Sequence, residues 1–203
     1  MVRLAFTMIE LIFAIVIIGI TVISLPMMSQ VTAKGMEANL VQEAIFAAST
    51  ELNQAVTMHW DENSMEDGDD TLARVIDTGD CDDTTRLRLG HITQPLHRRC
   101  LDSNLTAIAN TKTIATVDAL NDSEHASSNI FTSAITDQTG YKQNYNSELN
   151  ITSGVIFGTD QVNANQNIKR VTVTIRDTNG TTITVLSTYS ANIGEVDYYK
   201  RSY

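Results

Sequence analysis

Two prolines, two cysteines and one tryptophan in 203 residues leave little of three signals by which folds are often recognised. So few prolines exclude a collagen-like or proline-rich chain, and two cysteines exclude a disulfide-dense scaffold. Basic residues are scarce as well: 14 Lys and Arg stand against 24 Asp and Glu, a formal net charge of -10. An exterior of that sign repels phosphates, so no direct nucleic-acid partner is expected. Aromatic residues are only 6% of the chain. Thr, Ser and Asn are plentiful, which suits strands and loops exposed outside the cytoplasm. The sequence also lacks a nucleophile elbow, a P-loop and an HExxH pair. Neither an enzyme nor a cofactor is expected.

What the chain does have is concentrated at its N-terminal end. Leu11 to Leu25 reads LIFAIVIIGITVISL without a charge. As a helix, Phe6 to Leu25 would be about 30 Å long, the thickness of a bilayer's hydrocarbon core. No small-residue cleavage site of the secretory type follows; Ser24, Leu25 and Pro26 match it poorly. Glu10 stands at the start of this run, between Ile9 and Leu11. A lone carboxylate at membrane depth costs about 2.5 to 3.5 kcal/mol. Glu10 therefore either lies at headgroup level or meets a cation.

Ala5-Phe6-Thr7-Met8-Ile9-Glu10, preceded by Met1 to Leu4 with the basic Arg3, resembles the leader and cleavage site of type IV prepilins. The likeness covers about the first fifty residues. It implies that a membrane prepilin peptidase cuts between Ala5 and Phe6 and methylates the new amino group of Phe6. Glu10 is then the family's signature acid. Two charges that are costly singly become tolerable as a pair when a neighbouring subunit's Glu10 meets the Phe6 amine among bundled helices. Gly19 and Ser24 offer small surfaces for close helix approach. The chain departs from the pattern at Ala5, where Gly is usual, and at Pro26, one residue earlier than in common major pilins.

Helical periodicity continues past Pro26. Leu40, Val41, Ala44, Ile45, Ala48, Leu52, Ala55, Val56 and His59 recur at spacings of three and four, which leaves Glu37, Glu43, Glu51 and Gln54 largely on the opposite face. One helix from Phe6 to Met58 would be roughly 80 Å long, with Pro26 and Gly35 as soft points. Asp61 to Asp70, DENSMEDGDD, reads as a solvated acidic segment that ends it. An EF-hand reading fails, because Met65 and Glu66 fill positions that need an oxygen ligand and glycine. A plain acidic loop is likewise expected around Asp77, Asp80, Asp82 and Asp83 in preference to a calcium site.

Cys81 and Cys100 are expected to form a disulfide in a head outside the cytoplasm, worth about 3 kcal/mol by loop closure. His59, His91, His97 and Cys100 lack a ligand spacing with a companion acid, so no metal site is expected. Arg86, Arg88, Arg98 and Arg99 form a basic segment expected to pair with nearby acids such as Asp82 and Asp83. Residues 101–150 show no motif. Beyond them, Val171, Val173 and Ile175 alternate with polar residues, Asp177 to Gly180 turns, and Ile183 and Val185 alternate again: a β-hairpin, with Gly154 to Phe157 as a third strand. Asn104, Asn150 and Asn179 each sit in an acidic, extended sequon that resembles the acceptor of some bacterial oligosaccharyltransferases.

The expected fold class is α+β and pilin-like: a leader at 1–5, a transmembrane or filament-core half-helix at 6–25, an amphipathic half at 26–59, and a head at 60–203. Within the head, 60–150 is expected to be irregular and loop-rich and 151–203 an antiparallel sheet. The resemblance implies a structural subunit, a minor one given the large irregular head and the departures at Ala5 and Pro26, of a type IV pilus or type II secretion pseudopilus. Its implied partners are other pilin or pseudopilin subunits, prepilin peptidase and the inner-membrane assembly platform. Its implied place is the bacterial inner membrane, single-pass with the head in the periplasm, and then the filament. The alternative is a pilus-displayed adhesin or ligand-binding module that uses the same anchor.

Overall fold

The computed structural model describes residues 7–65, 73–88, 99–102, 106–107, 119–130, 144–156 and 165–195. The class is α+β: one long N-terminal helix, α1 (Met8–Val56), and a four-stranded antiparallel sheet. The chain divides into two compact units, residues 1–43 and 44–203.

In the first unit α1 begins where the Thr7 carbonyl accepts from the N–H groups of Glu10 and Leu11, at 3.0 and 3.3 Å. The helix runs through Pro26 and Gly35 without interruption. Its best 18-residue window has a mean hydropathy of 2.7 and buries none of its residues. It is long and apolar enough to cross a membrane. The hydroxyls within this run turn back on the helix: Thr21 donates to the Ile17 and Ile18 carbonyls, Ser24 to Thr21 and Thr32 to Met28. These three side chains thus present no lone donor to apolar surroundings.

The second unit begins with the remainder of α1, which stops at Val56, two residues short of Met58, in a turn tightened by the Met58 N–H bonding to the Ala55 carbonyl. Strands β1 (His125–Asn129), β2 (Tyr145–Val155), β3 (Asn165–Asp177) and β4 (Thr182–Ala191) form a meander in the order β1-β2-β3-β4. Tyr145, Leu149 and Ile151 of β2 and Val171, Val173 and Ile175 of β3 point into one core, joined by Ala44, Ala48 and Ala55 of α1 and by Trp60, Ile76, Leu101 and Leu120. Alanine on the helix lets its backbone lie close to the branched side chains of the sheet. The β3–β4 hairpin turns where expected, with the Gly180 N–H bonding to the Asp177 carbonyl and Gly180 at φ +82°.

The sheet departs from expectation on its N-terminal side. It begins at His125, so the expected division into an irregular 60–150 and a sheet at 151–203 is corrected. β2 pairs with β3 from Tyr145↔Asp177 onward and ends at Val155. Gly154, at φ +66°, lies at a register shift inside β2 and does not open a new strand. Phe157 lies outside the described residues. Both missed strands are polar: β1 reads HASSN, and β2 places Ser147 at an inward position between Tyr145 and Leu149.

Candidate functional site

Three groups of side chains carry chemistry, and the first is at the start of α1. Glu10 is exposed in the first turn, between Ile9 and Leu11, which are 63% and 53% exposed. Among the described residues it has no cation partner. Ala5 and Phe6, the expected cleavage pair, lie outside the described residues, and so does Asn104.

The second group surrounds the disulfide. Cys81 and Cys100 are bonded, with Cα atoms 6.5 Å apart. Short bridges seat both ends: Cys100 pairs with Val75 and Cys81 with Arg88. Arg88 reaches Asp80 at 2.9 Å and the Asn192 carbonyl at 2.8 Å, and Arg86 reaches Asp77 at 3.8 Å and Asp102 at 4.0 Å. The arginines thus pair with acids, but with Asp77, Asp80 and Asp102 in place of the expected Asp82 and Asp83. Asp82 instead holds its own turn: the Thr85 N–H and hydroxyl and the Thr84 N–H keep its carboxyl below the usual range. Asp77, Asp80 and Cys81 lie close enough for a shared ion. They do not suit one, because the sulfur is in a disulfide and both carboxylates face guanidinium groups. His59 lies 3.6 Å from Glu195, and His91, His97 and Arg98 are outside the described residues.

The third group lies in the head core and along its rim, and sequence reasoning missed it. Glu51, expected to face solvent, accepts hydrogen bonds from His125 Nε2 and, at 3.0 Å, from the Ser147 hydroxyl. These side chains line a cavity of about 480 Å³ with Phe46 at its edge. Burial opposes the imidazolium of His125, but the Ala126 carbonyl, the Glu51 hydrogen bond and the charges of Glu51 and Glu148 outweigh it and raise its pKa. Nδ1 of His125 meets the Ala126 carbonyl and Nε2 meets Glu51, while the Ser147 hydroxyl bonds to Glu51. The arrangement braces α1 against β1 and β2.

Deeper in the core, Asp61 is fully buried, which corrects its place in a solvated acidic segment. Its Oδ2 lies 2.5 Å from Lys169 Nζ, which also donates to the Trp60 carbonyl at 3.0 Å and sits 4.4 Å above the Trp60 ring. Lys169 is on β3 in step with Val171, Val173 and Ile175, a parity that marks it as inward-facing. Its pKa is lowered by burial, against the opposing pull of Asp61 and Asp122. Of the sequons, Asn150 is exposed on β2 and donates to Glu124 at 3.1 Å, and Asn179 is exposed in the hairpin turn and donates to Asp177 at 3.1 Å.

No protein-family model, curated protein or solved structure matches this chain.

Proposed function

We infer that the chain is a minor structural subunit of a type IV pilus or a type II secretion pseudopilus. The observation that carries this reading is the first half of α1: a fully exposed apolar helix with a single acid, Glu10, in its first turn. Exposed apolar surface of that extent requires lipid or other helices around it. In the bilayer the helix is an anchor; in a filament the same surface packs against its neighbours. Glu10 is useful in the second setting, where the amine created at Phe6 by cleavage after Ala5 becomes its partner on an adjacent subunit. Pairing removes the cost of a lone buried charge and sets the axial register of one helix against the next. The disulfide-closed head, with its own core, is then what the filament displays or stacks.

The test is the N-terminal mass of the protein from its native membrane, with and without prepilin peptidase. A chain beginning at methylated Phe6 only when the peptidase is present is the expected result. Persistence of Met1 to Ala5 in both cases would overturn the reading and leave a single-pass anchored head.

A further inference from the structure

The Lys169–Asp61 contact has more of the features of a reaction site than of an ordinary ion pair. Both side chains are essentially excluded from water, at 1% and 0% exposure. A charge pair so placed must overcome the desolvation of both ions, and burial favours the neutral amine of Lys169. A neutral, desolvated lysine is a nucleophile. Its nitrogen already lies 2.5 Å from one oxygen of the Asp61 carboxyl and is held by the Trp60 carbonyl, with the indole ring covering it. Such positioning replaces a bimolecular encounter with an intramolecular one.

We propose that Lys169 and Asp61 join in an intramolecular isopeptide bond. Lys169 Nζ attacks Asp61 Cγ, a C–N bond forms, and one C–O bond of the carboxyl breaks. Of the three ammonium protons one stays on the amide nitrogen, and two leave with the carboxyl oxygen as water. No oxidant, metal or second substrate enters. The product ties the segment just after α1 to β3, an interior strand of the sheet. All the reacting groups lie in the second unit, so the bond is independent of the filament reading.

The test is peptide mapping of the full-length protein, extracted in detergent, reduced, alkylated and digested after denaturation. The expected result is a linked pair of peptides carrying Asp61 and Lys169, one water lighter than their sum, with no cleavage at Lys169 by a lysine-specific protease. Linkage is what separates this from a succinimide, which also loses water but leaves the two peptides apart. Lys169→Arg is expected to abolish the linked peptide. Asp61→Asn is expected to yield the same linked product with ammonia as the leaving group, a signature that a purely ionic contact does not produce. Folded wild-type protein that yields the two peptides separately, with Lys169 cleavable, would overturn the bond.

Discussion

His125 is the residue whose charge is set most clearly by its surroundings. Its imidazolium donates to Glu51 and to the Ala126 carbonyl, and its folded pKa lies above the ordinary value of 6.5. Between the two values the folded state holds more protons than the unfolded chain, so stability falls as pH rises through that window. The stabilisation is complete below 6.5 and is lost as pH passes the raised folded value. A His125→Gln chain is therefore expected to show a deficit against wild type at pH 5 to 6 that shrinks on the alkaline side, read from urea midpoints at matched pH. Glu51 was illegible in the sequence because helical period sorts residues by hydropathy alone. A carboxylate at the rim of the buried face reads as polar unless its partners on β1 and β2 are known. Asp61 was hidden for the same reason: its partner Lys169 is 108 residues away.

At the level of elements, the hairpin of β3 and β4 was legible because the inward residues of β3 are branched and the turn ends in a glycine with positive φ. The parity of β4 was misread: Leu186 lies opposite the buried Val173, whereas Val185 pairs with Thr174 on the outer face and is 51% exposed. β1 and the first half of β2 were not, because their pairing is decided by neighbours: Ser147 occupies an inward site opposite Ile175 and bonds to Glu51. The amphipathic half of α1 was read well at Ala44, Ala48 and Ala55, and less well at Ile45, which remains 39% exposed. Helix and sheet meet through alanines, so added volume has no room. Ala48→Leu is expected to destabilise the head by about 1 to 3 kcal/mol through overpacking, although leucine is an apolar helix former. Chemical denaturation of the detergent-solubilised chain measures it.

For the molecule as a whole, the apolar N-terminal run and the α+β order of elements were plain from the sequence, because hydropathy and period are local signals. The middle of the chain is held by long-range polar contacts that leave no local pattern, such as Arg88 with Asn167 and Asn192. The disulfide anchors that middle segment, closing a sequence separation of 19. Replacing both cysteines by serine is expected to cost about 3 kcal/mol of head stability, seen as a lower denaturant midpoint. The sole tryptophan has a different consequence. Trp60 follows α1, its indole N–H bonds to the Ser190 carbonyl on β4, and its ring lies beneath Lys169 of β3. One natural fluorophore thus sits where three elements converge, and its emission wavelength and quenching report on that junction in unlabelled protein, in detergent or in a bilayer alike.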